Sequence, residues 1–193
     1  MSFGDKDNCE GYLIGKENHG ISYMFIMMNE ARIVVGLQGV AQSSIAFLNA
    51  ENYAKERIQG VDITVKKDTV NPPRIAIINH PDVKRMLLKQ RAIVEGGRTL
   101  CYLAAHIYDL SIHSLSSEDR KKYHNTLELL TPIVKAWCTD MGFNSIVTSM
   151  QTYGGYGFTK DYPVEQLLRD CKIASIYEGV LPITDLYIAE IPS

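Results

Sequence analysis

Cysteine is scarce in this 193-residue chain and never paired: Cys9, Cys101, Cys138 and Cys171 stand singly, with no CxxC spacing. That argues against a zinc ribbon or a disulfide scaffold. It predicts four reduced thiols in a cytoplasmic chain. An excess of charge of one sign is also missing. Lys+Arg is 20 and Asp+Glu is 22, for a formal net charge of −2. Such a balance leaves no basic footprint for nucleic acid. The five histidines, His19, His80, His106, His113 and His124, are dispersed. No pair has a metal-ligand spacing, so no metal is assigned. The first nine residues carry Asp5, Lys6 and Asp7 where a signal peptide would need an apolar core. No apolar run approaches the ~20 residues of a membrane helix. Internal repeats and low-complexity tracts are absent.

What is present suits one domain with a real core: 46% apolar and 22% charged residues. Segment 9–20 mixes β-formers with Gly and Asn and reads as a short strand and a turn. From Ile21 to Ile58 there is no proline, and Met24, Phe25, Met28, Val35, Ile45 and Leu48 recur at helical spacing. This predicts one long helix. Gly36 and Gly39 read as points of close approach to a neighbour, because each costs ~1 kcal/mol in a helix relative to Ala. Residues 60–79 form a loop with room for a short strand. Asn79 as cap and Pro81 and Asp82 in the first turn start a second helix, running to about Ser114. Ser116 or Ser117 caps a third, which continues to about Tyr153 with a kink expected at Pro132. A glycine turn at 154–157 leads to a fourth, shorter helix from Pro163 through Ile176, closed by Gly179. The expected fold is all-α, an antiparallel, up-down four-helix bundle.

The chemistry-bearing block is 151–179. Gly154-Gly155 either turns the chain or lets backbone approach a ligand; by spacing alone the turn is the simpler reading. It is no dinucleotide fingerprint, since no strand precedes it. Glu178 stands at a helix C-terminus between Tyr177 and Gly179. The negative end of the helix dipole disfavours another anion there, so the carboxylate is a candidate general base. An exposed last-turn Glu without a role fits the same residues. Arg57 ends the first helix and reads as a solvated end that could reach a phosphate. Arg169-Asp170 read as helix-surface contacts.

These residues resemble a family. MMNEARIVVGLQGVAQ (27–42), YAKER (53–57), QTYGGYGFTKDYPVEQLLRD (151–170) and KIASIYEG (172–179) look like the C-terminal domain of acyl-CoA dehydrogenases. HPDVKRMLL (80–88) is similar to a subgroup with an extended C-terminal region. The resemblance implies a helical bundle at 21–179, preceded by a remnant of a β-domain and linker at 1–20 and followed by a divergent tail at 180–193. It implies a piece of a subunit that lacks the family's first helical and middle β domains.

The resemblance also implies FAD as cofactor and an acyl-CoA thioester as substrate. Arg57 would pair with the FAD pyrophosphate, and Gln151, Gly154 and Gly155 would line the nucleotide of a partner subunit's FAD. Asn29 and Arg32 would face the acyl-CoA cleft, although many relatives have Asp where Asn29 stands. Glu178 matches the base of the family's IYEG motif. An electron-transfer acceptor protein and a homodimer or homotetramer are the implied partners. The family's usual IYEGT reads IYEGV here, so Val180 replaces a hydroxyl that contacts the flavin nucleotide. The competing expectation is a non-catalytic oligomerisation or binding module that kept the bundle and lost the enzyme.

Overall fold

A computed structural model describes residues 2–7, 9–66 and 68–179. Val180 and the rest of the 180–193 tail lie outside the described residues, as does Lys67.

The proline-free run forms α1, Gly20–Glu56. It ends at Arg57, whose backbone is extended and whose N–H bonds to the Tyr53 carbonyl. The chain then makes β1 (Ile58–Val61) and β2 (Arg74–Ala76), an antiparallel pair joined across the expected loop. A short 3-10 turn, Ile77–Asn79, leads into α2, Pro81–His113. Asn79 is not the cap: His80 occupies that position, with no side-chain cap bond. Pro81 at the first helical position sets the helix start without it. Ser116 does cap α3, Ser117–Tyr153, accepting from the Glu118 and Asp119 N–H groups. α3 runs as one helix through Pro132. A 3-10 turn at Gly154–Phe158 connects it to α4, Val164–Lys172, followed by a last 3-10 turn at Ile173–Ser175. The fourth helix is therefore shorter than the sequence spacing predicts.

Segment 9–19 carries no strand. A strand exists only with a neighbour to bond, and this segment has none within the described residues; Tyr12, Leu13 and Ile14 are exposed.

The three long helices pack on one another, and α4 lies against α3 and α1. This is the all-α bundle expected. The buried face of α1, however, is not the large-apolar stripe read from the sequence. Met24, Ile45 and Leu48 are about half exposed, and the buried positions are Arg32, Val35, Gly36, Gly39, Val40, Ser43, Ala46, Ala50 and Ala54. Small residues bring backbones together. A Cβ at Gly39 would lie 2.7 Å from the Cys138 carbonyl, and one at Gly142 would lie 2.7 Å from the Gly39 carbonyl. At Gly36 the Val134 side chain would be 2.8 Å away.

The expectation about membrane-length runs needs correction. α1 contains an 18-residue window of mean hydropathy 1.4, of which 39% is buried inside the bundle, so by length and composition it could cross a membrane. The core helix of a bundle meets the same criterion, because one face packs on its neighbours.

Gly39→Ala should lower the unfolding free energy by about 1–3 kcal/mol through overpacking. Gly96→Ala is the control. Its Cβ would meet nothing closer than Trp137 at 3.5 Å, so it should be neutral or stabilising by up to ~1 kcal/mol. Urea unfolding of both variants checks this; equal effects would mean that α1 and α3 are loosely packed.

Candidate functional site

Two groups of sequence-predicted residues come together in different parts of the bundle. The first group surrounds the turn after α4. Arg32 on α1 is 5% exposed, and its Nε donates to the Glu178 carbonyl at 3.1 Å. Its Nη1 makes a long bond to Asn29 Oδ1, 3.5 Å, and its guanidinium lies 5.9 Å from the centre of the Phe25 ring. Asn29, Arg32 and Glu178 are thus one connected unit, although Glu178 is 146 residues from Arg32 in sequence. Glu178 itself is half-buried and has a left-handed backbone, φ 58°. That conformation costs a non-glycine residue about 1–2 kcal/mol. Gly179 follows at φ 99°, where a Cβ would sit 3.3 Å from Arg32 Nη2. The turn is tied to α1 a second time by Tyr177, whose hydroxyl donates to Gln38 Oε1 at 2.5 Å.

A residue the sequence reading missed completes this group. Lys135, in the middle of α3, is 1% exposed and its Nζ donates to the Gly179 carbonyl. Burial pushes its ammonium below the usual lysine range, and the positive Arg32 adds to this; Asp140 and Glu178 oppose it. A sequence signal existed: Lys135 follows Val134 and stands one turn from Cys138 and Thr139, all three buried.

The second group lies at the far end of α1. Arg57, Gln151 and Gly154 line one cavity of about 400 Å³, together with Tyr53, His80 and Tyr153 among others. Gly155 is next in the chain but is not among the lining residues. Beyond both Gly154 and Gly155 the space is open, since a Cβ on either would meet nothing within 4 Å. Gly154 has φ 61°, which a glycine adopts without strain. The Arg57 guanidinium lies 5.2 Å from the centre of the Tyr156 ring. Tyr53 and Tyr153 stack at 4.3 Å, and Tyr162 packs against both. Burial pushes the Tyr53 hydroxyl above its usual range, with Arg57 pulling the other way. Arg57 Nε is buried with no hydrogen-bond partner among the described residues. A buried, unpartnered guanidinium N–H beside an amide side chain and bare glycine backbone suits a phosphate oxygen. Arg57, Gln151 and Gly154, which the resemblance assigns to FAD, border a single space.

Asn29 also lines a second space, about 470 Å³, between α1, α2 and α3. Arg32 and Glu178 do not line it. Among the described residues no group of three His, Cys, Asp or Glu side chains gathers as a metal site. Arg169, read from the sequence as a helix-surface residue, pairs with Glu165 at 2.9 Å on α4.

A family model described as acyl-CoA dehydrogenase, C-terminal domain, matches residues 18–191. The 3-methylmercaptopropionyl-CoA dehydrogenase of Ruegeria pomeroyi is 42% identical over 177 residues, 92% of this chain and 29% of that protein. The broad-specificity linear acyl-CoA dehydrogenase FadE5 of Mycobacterium tuberculosis is 39% identical over 176 residues, 91% of this chain and 29% of that protein. The chain therefore spans about three-tenths of the length of these relatives. Among solved structures, Caenorhabditis elegans ACDH-11 in complex with C11-CoA superposes with a TM-score of 0.77 over 91% of this chain and 27% of that one. At 22% identity it speaks for the fold.

The buried lysine gives a pH test. Below its depressed folded-state pKa, Lys135 is charged in both states and its desolvation cost is present in full. Between that pKa and 10.5 the unfolded chain binds the extra proton, so stability rises with pH. The unfolding free energy of the wild type minus that of Lys135→Met should therefore climb as pH goes from 7 towards 10.5. A falling difference would contradict it.

Proposed function

Because the chain belongs to the acyl-CoA dehydrogenase family, as its C-terminal helical domain, we propose that it supplies the general base and part of the cofactor cradle for α,β-dehydrogenation of an acyl-CoA thioester. The observation that carries this reading is the connected unit Asn29–Arg32–Glu178, in which a buried cation on α1 holds the main-chain carbonyl of the half-buried Glu178. Glu178 takes the proton from the carbon next to the thioester carbonyl. Its own N–H is a donor for the carbonyl oxygen, which gains charge as that proton leaves. Asn29 and Arg32 orient the thioester arm. Arg57 and Gln151, with the bare backbone of Gly154, hold the pyrophosphate and nucleotide of FAD, and the orphaned Arg57 N–H fits that role. FAD, when bound, supplies the two-electron acceptor that side chains lack.

Catalysis on this reading belongs to a subunit that contains this domain, with an electron-transfer acceptor protein as the next carrier. A homodimer or homotetramer is the assembly we propose. Ile21, Ile26, Met27 and Val34 on α1 are each more than 60% exposed, and such apolar surface favours association. The same observation is what favours the second reading, a binding or oligomerisation module without catalysis.

In a subunit containing this domain, Glu178→Gln should keep the shape and lower kcat by ~10²–10⁴. Near-normal turnover would remove Glu178 from its role and favour the second reading. Arg57→Met should weaken FAD binding by about ten- to a hundred-fold, as loss of a charge-assisted bond does. A flavin titration followed by absorbance measures this; unchanged affinity would place the pyrophosphate elsewhere.

A further inference from the structure

We propose that Lys135 is a positioning residue for this chemistry: from α3, it holds the Gly179 carbonyl and so fixes the turn that presents Glu178. The inference rests on the reading of Glu178 as the base.

The turn at 177–179 does not fix itself. Glu178 sits at φ 58°, a conformation that persists in a non-glycine residue only where the surroundings over-determine it. The surroundings do so from both sides. Gln38 and Arg32 on α1 hold the Tyr177 hydroxyl and the Glu178 carbonyl. Lys135 on α3 holds the next carbonyl, that of Gly179. Two consecutive carbonyls are thus gripped by two buried cations from two helices. The turn cannot rotate without breaking one of these bonds.

A lysine is an expensive way to fill this space. At 1% exposure its ammonium has left water, and it faces Arg32, a like charge, from the neighbouring helix. Methionine has nearly the same length and would fill the volume without desolvating a charge. What methionine lacks is a donor for the Gly179 carbonyl. The lysine's bond goes to main chain, so the quantity it controls is the backbone position. Glycine at 179 is part of the same device. A Cβ there would press on Arg32 Nη2 at 3.3 Å, and a bare backbone lets both cations reach the turn. Loss of the Lys135 bond would free the turn on its α3 side, and the Glu178 carboxylate would move with it. A displacement of about 1 Å at a reacting group can cost 10²-fold in rate.

The test compares Lys135→Met and Lys135→Arg with the wild type in the 193-residue chain, by backbone ¹⁵N relaxation. In Lys135→Met, order parameters at Tyr177–Gly179 should fall from a rigid ~0.85 to below ~0.6, with Gly36–Val40 unchanged. Lys135→Arg, which keeps charge and donor, should restore them. In a subunit containing this domain, Lys135→Met should lower kcat by about 10²-fold with KM for acyl-CoA unmoved. Unchanged order parameters at 177–179 in a folded variant would overturn the proposal. So would an equal loosening of α1 and α3, the mark of a packing role alone. If the methionine variant does not fold, Lys135→Gln is judged by the same criteria. The relaxation result stands apart from the base assignment. Near-normal turnover in Glu178→Gln would sink the base while leaving the hold of Lys135 on the turn to be read independently.

Discussion

The closeness of α1 and α3 governs both the bundle and its site. Gly39 and Gly142 let each helix's backbone press on the other, with no room for a Cβ at either. One turn before Gly36 stands Arg32, and one residue after Val134, which packs on Gly36, stands Lys135. The glycine contact therefore brings two buried cations face to face at one level of the bundle. Both then need acceptors, because neither can reach water. The carbonyls of Glu178 and Gly179 are those acceptors. A packing constraint in the core thus dictates where the chain must place the turn that carries its carboxylate.

Elements marked by local chemistry were legible in the sequence. Pro81 and Ser116 set the starts of α2 and α3, since a missing N–H and a capping hydroxyl act within a single turn. Gly36 and Gly39 announced a close contact because glycine inside a helix is unfavourable without one. The buried stripe of α1 was misread for a related reason. Periodicity was followed through large residues such as Met24, Ile45 and Leu48, while the neighbouring helix wanted Ala46, Ala50 and Ala54. The strand expected in 9–20 failed because pairing is non-local, and a β-rich composition does not supply a partner. Asn79 failed as a cap because the 3-10 turn at Ile77–Asn79 moves the helix boundary on to His80.

The site was legible in part. Arg57, Gln151 and Gly154 were named by resemblance to a family, and no spacing rule could have joined residues 57 and 151. Their common cavity exists because the end of α1 and the end of α3 finish side by side. Lys135 was passed over because lysine on a helix ordinarily faces water. Its neighbours Val134 and Cys138, both buried, held the contrary signal.

Arg32 and Lys135 each donate to a main-chain carbonyl of the turn. Bonds to carbonyls fix the position of Glu178 through its backbone. An enzyme base needs both at once: a fixed place near the reacting carbon, and a carboxylate able to take up the proton. On the proposed reading of Glu178 as the base, its left-handed turn supplies the fixed place, at a cost of about 1–2 kcal/mol in backbone conformation. The bonds donated by Arg32 and Lys135, and the one Gln38 accepts from Tyr177, offset that cost from the side of the fold. On this argument, the strain at Glu178 and the buried charges beneath it are two halves of one arrangement, and neither would persist without the other.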